Sequence, residues 1–184
     1  MKEKNFIDTA INVIKTEADA VKSLADQIRP DFGSLCESIL DTEGKLILMG
    51  IGKSGHIAQK ISATLSSTGT SSFFIHPTEA AHGDMGMIEK EDLILLFSNS
   101  GETQEIISIL PSLKRSSKKL ISVTGNASSA IACASDNHIE IKTSEEACSL
   151  DLAPTSSTTS AMAFGDALAA VSYTHLTLPT NREV

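Results

Sequence analysis

The run Ser98-Asn99-Ser100-Gly101-Glu102-Thr103 follows the apolar stretch Leu93 to Phe97 and precedes a helical pattern with apolar positions at Ile106, Ile107, Leu110 and Leu113. A buried strand ending in hydroxyl side chains and a glycine, then entering a helix, gathers unpaired N–H groups, hydroxyl donors and the positive end of a helix dipole at one point. A phosphate suits that point, with Ser98, Ser100 and Thr103 as its donors. A plain Ser/Thr-capped helix start uses the same residue types, so the run alone leaves both readings open. Gly50-Ile51-Gly52-Lys53-Ser54-Gly55 is a second turn of this kind: its glycines allow close backbone approach, Ser54 offers a cap and Lys53 a mobile ammonium. It lacks the G-x-x-x-x-G-K-[ST] spacing of a nucleotide P-loop. Ala153-Pro154-Thr155-Ser156-Ser157-Thr158-Thr159 is a third, hydroxyl-dense helix start, with Ser156 as a lining residue.

These turns need a frame. Five short apolar runs recur at Lys45 to Gly50, Ser71 to His76, Asp92 to Ser98, Lys119 to Gly125 and His138 to Lys142, separated by segments able to form helices. That alternation predicts an α/β fold, a mainly parallel five-stranded sheet with helices on both faces, whose carboxyl edge would collect the three hydroxylated turns. Ahead of it, residues 1–43 read as helices: a long amphipathic one from Phe6 to Ile28 ended by Pro30, and a short one from Leu35 to Leu40. The first is long enough to pack on a partner subunit as well as on its own domain. A third helix, Ser54 to Ser67, closes at Gly69, and a last one spans Ser160 to Ala170. Residues 44–170 form the main domain. From Val171 the chain carries no helical stripe, and Val171 to Thr180 resembles the translation of a transposase sequencing adapter, so residues 171–184 are read as a non-native tail.

The chain of 184 residues, 41% apolar, is sized for one domain with a substantial core. A net charge of −8 opposes nucleic acid and anionic membrane partners, and no helix-turn-helix pattern precedes Lys45. An anionic ligand must then be held by local donors. No apolar stretch is long enough to span a bilayer, and Met1 to Lys15 carries both charge signs where a leader would be apolar, which points to the cytoplasm. Cys36, Cys133 and Cys148 are odd in number without ligand-type spacing, so reduced, mostly buried thiols are expected.

Several segments together resemble the sugar isomerase (SIS) domain family, in its arabinose 5-phosphate isomerase branch. They are the Gly50 to Gly55 loop, Phe73-Phe74-Ile75-His76-Pro77, Glu79-Ala80-Ala81-His82-Gly83-Asp84, the Ser98 to Thr103 loop, Glu146-Ala147-Cys148, and Leu152 to Thr159 followed by Gly165-Asp166-Ala167-Leu168. The resemblance implies a flavodoxin-like three-layer α/β/α sandwich, a homo-oligomer that is a tetramer built from dimers, and interconversion of D-arabinose 5-phosphate and D-ribulose 5-phosphate towards the Kdo sugar of lipopolysaccharide or capsule. An isomerase for another phosphosugar and a non-catalytic sugar-phosphate sensor are the alternatives. Members commonly continue with a Ser-His-Pro-Gly segment, whose His is implicated in catalysis, and with paired CBS domains; the 184 residues hold neither, so the chain as given is expected to bind the pentose phosphate and turn it over poorly.

Aldose–ketose isomerisation needs a base beside the carbonyl, stabilisation of an enediolate and a distant phosphate anchor, and no obligatory cofactor. The resemblance places Lys53, His82, Glu105 and Glu146 in catalytic roles, Gly69 and Thr70 in a substrate-lining turn, and an inhibitory divalent metal such as zinc at His76. Most have a plainer structural use: Lys53 as a solvated charge, His82 as a cap or core residue, Glu105 as a helix-start carboxylate, Gly69-Thr70 as a helix end, and Glu146 as a loop residue, while a lone His76 is thin support for a metal site.

Overall fold

The computed structural model describes residues 5–148 and 153–177, without the side chains of 174–177. The expected sheet is present: five parallel strands in the order β2-β1-β3-β4-β5, formed by β1 (Leu46–Gly50), β2 (Ser72–Phe74), β3 (Leu93–Phe97), β4 (Lys119–Thr124) and β5 (Asn137–Glu140). Strand residues are apolar in succession because both faces are covered. Leu46 and Leu48 of β1 and Leu93, Leu95 and Phe97 of β3 enter one core, while Ile47, Met49, Ile94 and Leu96 enter the other.

On the first face pack α1 (Phe6–Gln27), α2 (Pro30–Leu40), α3 (Gly52–Ser67) and α7 (Ser156–Thr177); on the second pack α4 (Pro77–Ala81), α5 (Gln104–Ser116) and α6 (Ala130–Ala134). Phe164 of α7 seals the first core with edge-on contacts to Phe32 and Phe97.

Three boundaries differ from expectation. Pro30 does not merely stop α1; it is the first residue of α2, where its missing N–H costs nothing. Helix α3 starts two residues early, at Gly52 rather than Ser54. Helix α7 starts at Ser156 and passes through Val171 to Thr177, which corrects the expectation that helical order stops at Ala170. No Gly or Pro interrupts Val171 to Thr177, and the Ser172 hydroxyl, fully buried, donates back to the Leu168 carbonyl at 2.9 Å. The remaining tail, 178–184, and Leu152 of the hydroxyl-rich segment lie outside the described residues.

Cys36 is buried, Cys133 exposed and Cys148 half-buried, so the thiols are less enclosed than expected. No described helix is long and apolar enough to cross a membrane. Only Ala20 and Leu24 of α1 are buried, while Phe6, Ile7 and Ile14 are 75%, 72% and 68% exposed.

Candidate active site

The strand order reverses between β1 and β3, and there, past the carboxyl ends of β1, β3 and β4, lies a cavity of about 430 Å³. Its walls include Ser54, Ser98, Asn99, Ser100, Thr103, Thr124, Glu146, Ser157 and Thr158, with Ile51, Ile57, Phe97 and Pro154 as apolar lining. The starts of α3, α5 and α7 all face it, so three positive helix ends converge without any lysine or arginine among the described residues of the wall.

The β3–α5 turn is organised from within. Ser98 Oγ pairs with Thr103 Oγ1 at 2.9 Å and accepts the Gly101 N–H at 3.2 Å, and Ser100 Oγ accepts the Glu102 N–H at 3.2 Å. Gly101 has φ +67°, and a Cβ there would lie 2.0 Å from Ser129 Oγ, so only glycine lets this turn dock on the β4–α6 loop. Ile131 N–H donates to the Gly101 carbonyl at 3.0 Å and Ala130 N–H to Glu102 Oε1 at 2.8 Å, which bolts the turn to α6. The N–H groups of Ser100, Thr103, Gln104 and Glu105 find no acceptor among the described residues and are available to an anion.

The Gly50 to Gly55 run has G-x-G-x-x-G spacing on a strand, turn and helix. Its last glycine is required by packing, since a Cβ on Gly55 would lie 2.6 Å from the Gly50 carbonyl oxygen. A dinucleotide-binding turn also needs an acidic residue at the end of β2, where this chain has Ile75 and His76.

Glu146 is the one ionisable side chain among the described residues of the wall. Its Oε2 accepts the Thr155 N–H at 2.6 Å, the Thr155 hydroxyl at 3.1 Å and the Ser157 N–H at 3.2 Å, so a loop carboxylate caps α7. Burial pushes its pKa up, but the donors of Ser157 and Thr155 outweigh burial and hold the carboxyl below the usual glutamate value. Across the cavity, Thr124 Oγ1 lies 2.9 Å from His138 Nε2 and accepts the Asn126 N–H at 3.1 Å. Burial, partly offset by Glu140 and Asp31, lowers the His138 pKa.

Of the residues expected from sequence, Ser54, Ser98, Ser100, Thr103 and Glu146 come together at this cavity. Lys53 and Glu105 stand in the first turns of α3 and α5, exposed beside the wall rather than in it, and His82 caps the end of α4, also exposed. Three of the expected lining residues stand apart from this cavity. Gly69 and Thr70 precede β2, at the sheet edge opposite the cavity, and end α3: Thr70 N–H bonds the Leu65 carbonyl at 2.9 Å and Gly69 N–H that of Ser66 at 3.3 Å, a Schellman pattern. Ser156 is fully buried outside the wall, and the helical turn of about 100° per residue puts Ser157 and Thr158 there instead. His76 caps α4, its Nδ1 accepting the Thr78 N–H at 3.2 Å. No group of three or more His, Cys, Asp or Glu able to hold a metal occurs among the described residues, so His76 offers a single ring nitrogen.

An open parallel sheet with converging helix starts, a hydroxyl-and-amide cradle and one carboxylate defines an α/β domain whose cavity offers its donors to a small anionic group. The SIS domain family matches residues 39–171, and the chain belongs to that family. It is 52% identical over 165 residues to arabinose 5-phosphate isomerase KdsD of Pseudomonas aeruginosa, covering 90% of this chain and 51% of that protein. The enzyme of the same name from Escherichia coli K12 is 47% identical over 165 residues, covering 90% and 50%. The chain thus spans about half the length of these curated relatives. Among solved structures, the E. coli CFT073 protein c3406 in complex with arabinose 5-phosphate superposes with a TM-score of 0.90 at 42% identity, covering 96% of this chain and 94% of that one.

Proposed function

We propose that this domain interconverts D-arabinose 5-phosphate and D-ribulose 5-phosphate in the route to Kdo. The observation that carries the proposal is a cavity joining a neutral phosphate cradle, Ser98 to Thr103 with the α5 amides, to the carboxylate of Glu146. The names of the relatives and the arabinose 5-phosphate bound to c3406 supply the pentose.

In this reading the cradle anchors the phosphate and Glu146 takes the proton from C2 of the aldose. The C2–H electron pair forms the C1=C2 bond and the carbonyl pair moves to O1, giving an enediolate stabilised by the helix starts and by Lys53 if its ammonium swings in. Return of the proton to C1, with a proton passing from O2 to O1, completes the ketose. His82 and Glu105 serve that transfer, His82 from its place on the outer surface of α4 towards a neighbouring subunit's cavity.

The enzyme acts as a cytoplasmic homotetramer, with the exposed Phe6, Ile7 and Ile14 of α1 as part of the subunit contact. It requires no cofactor; an inhibitory cation at His76 would need its other ligands from outside this protomer's described residues. One observation favours the sensor alternative: a wall with a single ionisable group among the described residues is sufficient for binding alone. The test is a panel of arabinose 5-phosphate, ribose 5-phosphate and glucose 6-phosphate, each followed to its ketose. Conversion of the first alone supports the proposal, conversion of another assigns a different phosphosugar, and binding without conversion of any supports the sensor.

A further inference from the structure

Glu146 is held in an unusual way. A helix start is ordinarily capped from within three residues, but here the carboxylate comes from the preceding loop, nine residues before Thr155. Thr155 meets the same oxygen twice, through its amide at 2.6 Å and its hydroxyl at 3.1 Å. That hydroxyl also accepts the Ala147 N–H at 2.8 Å, so its one hydrogen is committed to Glu146 and its lone pairs are turned to the backbone beside Glu146. The resulting ring runs from the Glu146 side chain through Thr155 to the Ala147 amide. The β-branched threonine is stiff about χ1, so the ring has little slack.

Building on the isomerase reading above, we propose that Thr155 is the positioning residue for Glu146, clamping Oε2 against the start of α7 so that Oε1 is the oxygen left to receive the substrate proton. Oε1 carries no hydrogen bond among the described residues. The arrangement keeps the carboxylate ionised, in accord with its lowered pKa, and fixes where the proton is accepted. Ionisable neighbours are few. Glu145 and Cys148 share with Glu146 a shallow cleft against Thr9, Asn12 and Thr16 of α1, and Glu17 of α1 accepts the Thr159 hydroxyl of α7 at 2.9 Å. The β3–α5 side of the wall contributes Ser98, Asn99, Ser100 and Thr103, none ionisable. A change at Thr155 leaves all of these in place.

The test has two readouts on the full chain. Carboxyl NMR with 13C-labelled glutamate, the Glu146 signal assigned by its loss in Glu146→Gln, follows the titration directly. Thr155→Val should raise the Glu146 midpoint by about one pH unit, the roughly tenfold change that one lost donor to a charged acceptor is worth. Thr155→Ser should restore it. With arabinose 5-phosphate, Thr155→Val should lower kcat about tenfold with little change in KM and move the acid limb of the kcat profile upward with the midpoint. Thr155→Ala substitutes if the valine variant fails to fold. An unchanged midpoint, or a lost kcat that serine does not rescue, would overturn the clamp. A shifted midpoint in a chain that never converts the pentose would leave the clamp standing and reject the isomerase reading.

Discussion

The phosphate cradle can be tested by counting its hydrogens. Ser98, Ser100 and Thr103 carry three hydroxyl hydrogens; the Ser98–Thr103 pair at 2.9 Å consumes one, and Ser100 Oγ already accepts the Glu102 N–H, which leaves its hydrogen pointing elsewhere. Two hydroxyl donors therefore remain for a ligand, beside the free amides at the start of α5. A hydrogen bond to a charged acceptor is worth about 1.5–3 kcal/mol, and water recovers part of what is lost at this open rim. Ser100→Ala with Thr103→Ala should thus cost about 2–4 kcal/mol, roughly a 30- to 1,000-fold rise in Kd. Titration calorimetry with arabinose 5-phosphate measures it, with arabinose as the control that lacks the phosphate, and circular dichroism checks the fold. A folded double variant that binds the phosphorylated pentose as tightly as the parent would refute the cradle.

Glu146→Gln should lower isomerisation by about 10²- to 10⁴-fold while leaving pentose phosphate binding nearly intact, as steady-state kinetics and calorimetry would read. The same charge contributes to stability: because the folded pKa lies below the ordinary value, the contribution is complete above the unfolded pKa and disappears as pH falls through the folded one. Denaturant melts should find Glu146→Gln less stable by about 1 kcal/mol at neutral pH, with the gap closing in acid; a gap constant with pH contradicts this. Gly101→Ala, forced to φ +67° against Ser129, should destabilise by about 2 kcal/mol or more and loosen ligand binding together, and a neutral melt would show that the turn docks differently. Ile7→Glu with Ile14→Glu on the exposed face of α1 should convert an oligomer to monomers in sedimentation, whereas an unchanged distribution would place the contact elsewhere.

The fold was legible because doubly buried strands announce themselves as continuous apolar runs: Leu93 to Phe97 and Leu46 to Met49 are buried along their whole length. The cradle was legible for the same reason, since its hydroxyls follow such a strand directly. Less legible was anything set by helix phase or by which sheet edge a turn occupies. Ser156, Ser157 and Thr158 are chemically alike, and only the rotation of α7 decides that the first is buried and the next two line the cavity. Gly69-Thr70 looks like other turns, yet it follows a helix and precedes a strand, which places it at the amino edge. Thr124 and Asn99 were missed although Thr124 ends β4 and Asn99 lies two residues past the end of β3, both at the carboxyl edge; their signal was position alone. Thr155 carried no signal, because its partner Glu146 is remote in sequence and a β-branched hydroxyl before a helix reads as an ordinary cap. The helical continuation to Thr177 was hidden by its unpatterned composition.

The central claim is that Glu146 removes a carbon-bound proton from a sugar phosphate held by the Ser98 to Thr103 cradle. Proton NMR of arabinose 5-phosphate in D₂O measures that step directly, as deuterium entering C2 of the aldose and C1 of ribulose 5-phosphate. The parent chain is expected to bind the pentose and exchange these positions, and Glu146→Gln to bind it and exchange neither. Binding by the parent chain with no deuterium at either carbon, or exchange undiminished in Glu146→Gln, would contradict the account.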